Sequence, residues 1–409
     1  MKVLICGGRL QGVELCYLAA KAGWRSIVID RDRQAPAFGL CDEFIAGDFR
    51  DARLLRQAMA KADFVVPALE HQATLAALAC RAEETGVPFA HDAAAYRISS
   101  CKKTSDALFA KLGVAAPRPW PDCSFPITVK PSAASGSKGV RLLKNAGDFD
   151  RWRAATPDYQ DYVCQEYLAG PSYSLEITGR GGRFQTYAVT KLEMDAAYDC
   201  KRVSAPVVLP DEAARKFRRM ATTIAQAINL TGIMDVEVIQ HAGELKALEI
   251  DARFPSQTPS VVYHATGVNL MTELWRCFAP APSETPGGAT NALSQSALYE
   301  HIQISGAALA VQGEHVMATA RPLTWRRDFF GADEALSDYQ PGRADWVATL
   351  IFLGENPAAA WAKRQDAIAR ICRDARIRRY TDASPAPPAF SGADAAAHVA
   401  IDETVGGMA

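Results

Sequence analysis

The sequence lacks the local patterns by which most thiolate and imidazole metal sites are recognised. None of its ten cysteines forms a C-x-x-C pair, and its seven histidines contain no H-E-x-x-H motif. A metal site built from one short segment therefore has no support, although ligands can assemble from distant positions. Scattered cysteines of this kind are typical of mostly buried free thiols in a reducing compartment, so we expect a cytoplasmic protein.

Long apolar runs and an excess of charge of either sign are also missing. No apolar run approaches the length that crosses a bilayer, and the first residues have the pattern of a strand rather than of a secretory signal. The formal net charge is −1, which gives no global field that would attract nucleic acid or anionic lipid. We therefore expect neither a nucleic-acid partner nor a membrane partner.

A turn similar to those of nucleotide-binding folds opens the chain. The segment MKVLICGGRLQG passes from an apolar strand through glycines into a helical pattern, and the next strand, RSIVID, ends at Asp30. The G-x-G-x-x-G fingerprint requires a glycine where the backbone meets the pyrophosphate, and that position is occupied by Arg9. The turn thus predicts a doubly wound domain. A nicotinamide oxidoreductase stays an alternative that rests on this turn and Asp30 alone.

Short apolar strands alternate with helical patterns to about residue 97, and the rest of the chain is richer in β patterns. The alternation indicates a parallel sheet with helices on its faces, with helices starting near Gln11, Ala52 and His71 and TGVPFAH as a fifth strand. Farther on, FPITVKPSAASGSKGVRLL predicts a hairpin around small residues, and MDVEVIQHAGELKALEIDAR predicts two strands. Helices are predicted over residues 211–229 and 359–376, and the Ala/Pro/Gly-rich end is predicted to be disordered.

Acidic residues are concentrated on the second of these strand pairs. Because alternate side chains of a strand share one face, Glu249, Asp251 and Arg253 point the same way, and Glu237 lies on the neighbouring antiparallel strand. Carboxylates grouped on a sheet face need cations, and Mg²⁺ binds a few carboxylates together with phosphate oxygens. Asp235 is a competing ligand two residues before Glu237. The simpler alternative is a solvated face with one arginine–carboxylate pair.

Two lysines stand where a phosphate can be held. Lys130 ends a predicted strand before a loop of Ser, Ala and Gly, whose backbone N–H groups are accessible to phosphate oxygens. Lys102 starts a predicted helix shortly after a strand–loop junction and can reach a phosphate as well. Taken alone, each lysine is more often a surface residue.

The order of these features resembles the ATP-grasp superfamily over nearly all of residues 1–380. The resemblance rests on the doubly wound start, Lys102 before a helix that ends at Gly113, VKP with its small-residue loop, QEYL, VEV and EID-x-R. It implies an α/β ATP-grasp fold in which an N-terminal Rossmann-like domain, without nucleotide, precedes two α+β subdomains that clamp ATP. The implied domains are residues 1–98 and 99–380, with a mobile lid at about 122–168 and a disordered tail at 381–409.

The resemblance also implies roles for individual residues. ATP is expected at Lys102, Lys130, Ser135, Gly136, Ser137, Gly139, Glu166, Tyr167 and Leu168, with residues 132–139 as a flap over the phosphates. Mg²⁺ is expected at Glu237, Glu249 and Asp251, with two ions expected and Mn²⁺ as an alternative metal. Arg253 and Lys130 are the expected catalytic residues. Two positions depart from the family pattern: Gly170 is followed by Pro171 rather than an acidic residue, and Asp251 replaces a frequent Asn.

A narrower resemblance rests on GGRLQG, AYRIS followed by KK, YDC, GIMDVE and EIDARFPSQTP. These segments are similar to the 3-methylornithine–lysine ligase family of pyrrolysine biosynthesis, which uses ATP to join the carboxyl of (3R)-3-methyl-D-ornithine to the ε-amine of L-lysine. The resemblance implies small-molecule substrates, 3-methyl-D-ornithine or D-ornithine and L-lysine, and an acyl-phosphate intermediate, and it leaves a homodimer open. Substrate contacts are expected at Arg9, Leu10, Gln11, Glu70, Asp199, Ser256, Gln257 and Thr258.

The main alternative is another ATP-grasp ligase that joins a carboxylate to an amine, such as a dipeptide ligase or a purine-pathway enzyme. A purine-type substrate would require an additional phosphate site. A binding protein without catalysis is disfavoured, because the sequence contains the whole expected set of phosphate-binding and metal-binding residues.

Overall fold

The N-terminal part of the chain forms a four-stranded parallel sheet in the order β3-β2-β1-β4. The computed structural model describes residues 1–280 and 295–385. The elements of this first unit are β1 (Lys2–Cys6), α1 (Leu10–Lys21), β2 (Arg25–Asp30), β3 (Glu43–Ala46), α2 (Ala52–Met59), β4 (Phe64–Pro67) and α3 (Gln72–Thr85). The predicted starts of α1, α2 and α3 are confirmed to within one residue. Asp51 and His71 begin α2 and α3 by accepting hydrogen bonds from the first-turn amides.

The predicted fifth strand of this sheet does not form. Phe89 makes a single bridge to Val65 on β4, and Val65 exchanges two hydrogen bonds with Pro88 and Ala90. Pro88 has no N–H to donate, and β4 itself ends at Pro67, so the ladder cannot continue in either direction. The chain leaves the sheet here and enters α4 (Ala93–Ser99).

A small antiparallel sheet follows α5 (Lys102–Leu112), which ends at Gly113 in the left-handed conformation, as predicted. Its strands lie in the order β6-β5-β7, with β5 at Ile127–Pro131, β6 at Arg141–Leu143 and β7 at Tyr162–Glu166, and α6 (Ala146–Ala155) covers it. The predicted hairpin is confirmed by the pairing of β5 with β6. This sheet has its own apolar core, in which Trp152 packs with Ile127, Val129, Leu143 and Cys123.

Most of the remaining chain forms one large sheet of 11 strands. Its path is β12-β11-β8-β9-β10-β13-β17-β16-β15, and β14 and β18 branch from β13. The strands are β8 (Ser172–Arg180), β9 (Arg183–Met194), β10 (Cys200–Ala205), β11 (Gly232–His241), β12 (Glu244–Asp251), β13 (Ser296–Ser305), β14 (Ala308–Val311), β15 (Thr324–Phe329), β16 (Ala332–Ser337), β17 (Asp345–Gly354) and β18 (Arg379–Thr381). Helices α7 (Asp211–Ala227), α8 (Thr258–Thr266), α9 (Leu270–Phe278), α10 (His315–Ala318) and α11 (Pro357–Asp374) accompany it.

The register of β11 and β12 places the acidic residues opposite one another. Asp235 pairs with Asp251, and Glu237 pairs with Glu249. The connecting turn uses Ala242 and Gly243 with φ of 49° and 82°, a left-handed pair that allows the strands to reverse directly. The strand pair predicted from the sequence is therefore confirmed, including its turn.

A buried ionic network anchors the end of the described chain to the large sheet. Lys201 and Arg202 on β10 and Arg364 on α11 are 2%, 3% and 5% exposed. All three bind Asp382, whose Oδ1 lies 2.6 Å from Lys201 Nζ and whose Oδ2 lies 2.7 Å from Arg202 and 3.2 Å from Arg364. Glu193 and Glu300 supply the other negative charges, so three buried cations meet three carboxylates. Residues 386–409, most of the predicted tail, lie outside the described residues.

The cysteines are less buried than the sequence predicts. All ten are free, but only Cys6, Cys16, Cys123 and Cys277 are buried, so the prediction that most of the thiols are buried is wrong. Within residues 1–280 and 295–385, no helix has both the length and the apolar character to cross a membrane.

Candidate active site

A polar pocket is present beside the first half of β11, where β12 ends and α8 begins. Asp235, Glu237, Glu249 and Asp251 line it together with Arg253. Arg253 donates from NH2 to Asp251 Oδ2 at 2.9 Å, and its Nε lies 2.6 Å from Glu70 of the N-terminal unit. The carboxylates line a pocket rather than an open sheet face, and the arginine–carboxylate pair of the simpler alternative is present as Arg253–Asp251.

The carboxylates of this pocket repel one another. Burial and the nearby Glu249 raise the pKa of Glu237 to about 8, and burial raises the pKa of Asp251 to about 7 against the opposing effect of Arg253. Burial and the Asp251 carboxylate raise the pKa of Asp235 well above its ordinary range, and Asp235 Oδ1 has no hydrogen-bond partner among the described residues. A buried carboxylate oxygen that has no donor and lies among other carboxylates is stabilised by a hard cation, so this environment suits Mg²⁺.

The metal ligands expected from the sequence are not already arranged around a single point. In the part of the chain that the structure describes, no three His, Cys, Asp or Glu side chains form a group that could hold a metal ion. Glu249 instead accepts a hydrogen bond from Lys102 Nζ at 2.5 Å, and Asp251 pairs with Arg253. The residue types and their clustering fit Mg²⁺, and binding would require Lys102 and the carboxylates to rearrange.

The two predicted phosphate lysines are buried rather than exposed. Lys102 is 8% exposed and also donates to the Ala134 carbonyl at 2.6 Å. Lys130 is 5% exposed, and burial lowers its pKa. Because a buried ammonium needs negative partners, the arrangement is typical of a lysine that meets an anionic ligand.

A second pocket lies between the small sheet and the large sheet. Lys102 and Lys130 line it, and so do Glu166, Tyr167 and Leu168, which the resemblance assigned to ATP. Its other walls are largely apolar and come from both sheets: Val140, Met194, Ile239 and Leu248. Glu166 is held by Lys246 at 2.9 Å and Arg118 at 3.0 Å; burial raises its pKa, but these hydrogen bonds outweigh burial and lower it to about 2. A flat apolar cleft between two sheets, with lysines at one end, suits a nucleotide.

Comparison with known proteins agrees with this geometry. The model of the ATP-grasp domain family matches residues 102–257. A 3-methyl-D-ornithine–L-lysine ligase of Methanosarcina barkeri is 32% identical over 371 residues, which cover 88% of this chain and 95% of that protein. The ligase of the same name from Methanosarcina acetivorans is 32% identical over 365 residues, covering 89% and 95%.

The chain belongs to this family of ATP-grasp ligases. Solved structures show the same fold: an L-amino acid ligase from Bacillus licheniformis superposes with a TM-score of 0.66 at 15% identity, covering 90% of this chain and 97% of that one. The biotin carboxylase domain of a Hydrogenobacter thermophilus 2-oxoglutarate carboxylase, solved with MgADP, gives a TM-score of 0.69 at 15% identity, covering 90% and 89%. ATP-grasp ligases use ATP together with Mg²⁺.

The predicted flap of this ATP-grasp ligase lies over both pockets. Gly136, Ser137 and Gly139 have φ of 60°, 54° and 80°, so the loop follows a path that favours glycine. Ser137 Oγ donates to the Tyr198 carbonyl at 2.5 Å, and Gly136 packs against the ring of His315. Ser135 hydrogen-bonds Glu70 and lines neither of the two pockets.

The predicted substrate residues of the N-terminal unit fall into two groups. Gln11 Nε2 donates to Glu70 Oε1 at 3.0 Å, and Glu70 in turn binds Arg253, so these side chains join the N-terminal sheet to the polar pocket. Arg9 is exposed at the position before α1, and Leu10 packs against the main apolar core. Leu10 is therefore placed to support the turn, whereas Gln11 and Glu70 reach the site.

The other predicted substrate residues, Asp199, Ser256, Gln257 and Thr258, all line the polar pocket. Asp199 Oδ2 lies 2.7 Å from His315 Nδ1. Sequence patterns did not reveal Glu314, which lines the same pocket and accepts a hydrogen bond from Ser256 Oγ at 2.6 Å. Glu314 stands in a loop after β14 without a motif around it, and only the folded chain brings it beside residues from β12 and α8.

Asp30 does not stand free for a ribose. Its Oδ2 accepts from the Gly8 amide at 2.8 Å, and its Oδ1 accepts from the Asp32 amide at 2.9 Å. The carboxylate therefore stabilises the glycine turn of its own unit, which removes the specific support for a nicotinamide oxidoreductase.

Proposed function

We propose that this protein is an ATP-dependent ligase that joins the carboxyl of (3R)-3-methyl-D-ornithine to the ε-amine of L-lysine. The observation that carries the proposal is that the two pockets adjoin and share Glu237 and Glu249. An apolar cleft for a nucleotide thus opens at its phosphate end onto a carboxylate-lined chamber for small polar substrates. The 32% identity to ligases of this name over most of both chains supports the same substrates.

The nucleotide is proposed to lie between the two sheets. The backbone and side chains of Glu166, Tyr167 and Leu168 would receive the adenine, and Lys102 and Lys130 would hold phosphate oxygens. Ser135, Gly136, Ser137 and Gly139 would cover the phosphates with backbone N–H groups. Lys102 is bound to Glu249 in the free protein, and a cation held by the carboxylates would leave its ammonium group available to the phosphates.

Glu237, Glu249 and Asp251 are the residues proposed to hold Mg²⁺, with two ions expected and Mn²⁺ as an alternative. When bound, the metal neutralises the phosphate charge and makes the γ-phosphoryl group a better acceptor. Asp235, with its unpaired Oδ1, lies next to these ligands and is placed to orient them.

The protein then brings two substrates to the reacting end of ATP. The carboxylate of the ornithine attacks the γ-phosphorus, ADP leaves, and an acyl phosphate forms; the lysine ε-amine then attacks its carbonyl carbon and phosphate leaves. Arg253, fixed between Asp251 and Glu70, is proposed to stabilise the negative charge that develops on the transferred group and on the carbonyl oxygen. Lys130 would assist at the phosphoryl group.

Recognition of the amino acids requires negative groups, because both substrates carry ammonium groups. Beyond the metal set and Asp235, the pocket is lined by Asp199 and Glu314, and Glu70 adjoins it through Arg253. Ser256, Gln257 and Thr258 would contact substrate from the start of α8, and Arg9 and Gln11 from the N-terminal unit. Gln257 Oε1 is buried without a hydrogen-bond partner among the described residues, which supports a polar ligand there.

Residues 1–98 are proposed as the substrate-side domain and residues 99–380 as the ATP-grasp domain, with a lid at about 122–168. A cytoplasmic location is proposed together with these substrates. A homodimer stays a prediction; the biotin carboxylase domain that resembles this chain was solved as a dimer.

The test is product analysis by mass spectrometry. The purified protein is incubated with ATP, Mg²⁺, L-lysine and either D-ornithine or 3-methyl-D-ornithine, and each component is omitted in turn. The proposal predicts an amide whose mass is the sum of both amino acids minus water, formed with ADP. ADP formation with other amino-acid pairs but not with these would instead support a different ATP-grasp ligase.

A further inference from the structure

The backbone at the start of α8 is held in a strained turn. Thr258 N donates to the Ser256 carbonyl at 2.8 Å, and the residue between them, Gln257, has φ of 69° and ψ of −58°. This is the rare form of the γ-turn, and a residue with a side chain adopts it only where the surroundings enforce it. All three residues line the polar pocket, so the strain is located at the proposed amino-acid site.

A carboxyl group of the N-terminal unit binds the first turn of α8, directly after this strained residue. Glu14 on α1 is 1% exposed, and its Oε1 accepts from the Ser260 amide at 2.7 Å. Gln257 provides no side-chain cap to α8, so a carboxyl group 246 positions away in the sequence satisfies the Ser260 amide in the first turn of this helix.

Glu14 itself is fixed by the packing of α1 on α8 and α9. One turn along α1, the Tyr17 hydroxyl lies 2.6 Å from His264 Nε2 on α8. The Leu18 carbonyl accepts from Asn269 Nδ2 at 2.8 Å. These contacts fix the position of the Glu14 carboxyl group relative to α8. Glu14 does not line the pocket itself.

We propose that Glu14 is a positioning residue for the amino-acid substrates, holding the Ser256–Thr258 turn in the conformation that presents its side chains to the pocket. The identity of the substrates in this proposal rests on the proposed function, whereas the contact of Glu14 with α8 does not. Glu14 touches no reacting atom; without it the turn relaxes toward ordinary φ values, and the side chains of Gln257 and Thr258 leave their places in the pocket wall.

The test compares three variants with the wild-type protein. Glu14→Ala removes the acceptor, Glu14→Gln keeps one acceptor oxygen, and Tyr17→Phe removes a buried α1–α8 hydrogen bond one turn away without touching the γ-turn. We expect Glu14→Ala to raise the KM for an amino-acid substrate about tenfold with the KM for ATP within about twofold, the signature of lost substrate positioning. Glu14→Gln should recover most of the loss, and Tyr17→Phe should lower the melting temperature alone.

Amide hydrogen exchange provides a readout that does not depend on the reaction. In wild-type protein the amides of Thr258, Ser260 and Val261 should exchange slowly, and Glu14→Ala should accelerate them while those of α9 stay protected. If Glu14→Ala does not fold, Glu14→Asp takes its place, since it keeps the charge but withdraws it from the Ser260 amide. The proposal is overturned if Glu14→Ala, or Glu14→Asp in its place, has the same KM for the amino acid, the same KM for ATP and the same amide hydrogen exchange as Tyr17→Phe. Absence of amide product from the wild-type protein would reject the substrate assignment, and the exchange result would still decide the role of Glu14.

Discussion

Glu237 on β11 and Glu249 on β12 are direct cross-strand partners, and each of them lines both pockets. Like charges directly opposite one another destabilise a strand pair. The pair therefore costs stability in the free protein, and Lys102 relieves part of that cost by binding Glu249. A ligand that supplies positive charge at this point is expected to stabilise the β11–β12 hairpin as well as to take part in the reaction.

The first prediction concerns this pair. Glu249→Gln should lower ADP formation by about a hundredfold or more, because a neutral amide binds Mg²⁺ poorly and electrostatic stabilisers of a transition state have effects of this size. A coupled assay for ADP and a circular dichroism melt would measure activity and folding separately. Glu244→Gln, at the exposed far end of the same strand, is the matched control and should retain activity. Near-native turnover of Glu249→Gln at ordinary Mg²⁺ concentrations would reject the metal assignment.

The second prediction concerns the flap. Lys138 is exposed in the loop of residues 132–139, and small residues there contribute little packing. Trypsin cleavage after Lys138 should slow when ATP and Mg²⁺ are added, because the loop becomes ordered over the phosphates. Cleavage after Arg183, in the β8–β9 turn, serves as the internal control and should not change. Equal rates at Lys138 with and without nucleotide would argue against a covering role.

The third prediction concerns Arg9, exposed beside the glycine turn. If its guanidinium pairs with a substrate carboxylate, Arg9→Ala should raise the KM for one amino acid, most simply lysine, by about tenfold and leave the KM for ATP unchanged. Separate KM measurements for lysine, ornithine and ATP would show this, with Arg31→Ala as a control of equal charge change. A change confined to the ATP value would mean that the turn holds nucleotide, and no change would leave Arg9 as a surface residue.

The fourth prediction concerns the ionic network at the end of the described chain. Asp382→Asn leaves three buried cations facing two carboxylates, and breaking a buried pair by removing one partner costs about 3–5 kcal/mol. Chemical denaturation should show a loss of this order. Asp374→Asn changes the same charge at a half-exposed position near the end of α11 and should have little effect. Equal stability of both variants would contradict the anchoring role of Asp382.

The fifth prediction concerns pH. Burial lowers the pKa of His264 to about 4, and the groups that face it are Tyr17 and Lys21 on α1 and Asp333 and Glu334 on β16. In the unfolded chain this histidine has its ordinary pKa of 6.5 and binds a proton at a higher pH than in the folded chain, so the free energy of unfolding should fall as the pH drops from 6.5 toward 4. Calorimetry at pH 6.5 and 5 should show a smaller drop in melting temperature for His264→Gln. An identical pH dependence in both proteins would exclude His264 as a source.

The sequence predicted the strand pair of the site well because its information is local. Period-two spacing places Glu249 and Asp251 on one face, and the Ala242–Gly243 turn fixes the register as far as Val238 and Ala247. The bulge that then brings Glu249 opposite Glu237 is not signalled by the sequence. The predicted fifth strand of the first sheet was wrong, because the missing N–H of Pro88 and the short neighbouring strand β4 stop the ladder after one bridge. The pairing of β10 with β13 joins segments about ninety residues apart, and no local pattern specifies it.

Glu314 and Glu14 are further residues whose contacts no local sequence pattern specifies. Glu314 enters the pocket from a loop, and Glu14 lies among apolar residues of α1, where a sequence pattern gives it no role. Each acquires its contacts from a partner more than fifty positions away, Ser256 and Ser260 respectively. The roles of the ATP, metal and substrate residues stay predictions until the variants are measured.

The small sheet of β5, β6 and β7 carries its own apolar core, with Trp152 at its centre. Because the small sheet has its own core, it can rotate as a rigid body, and rotation away from the large sheet exposes little of that core. We therefore expect ATP to enter and ADP to leave through a hinge motion at modest energetic cost, without local unfolding. If this opening limits turnover, a cross-link from the small sheet to the large sheet is expected to trap product without disturbing the fold of either sheet.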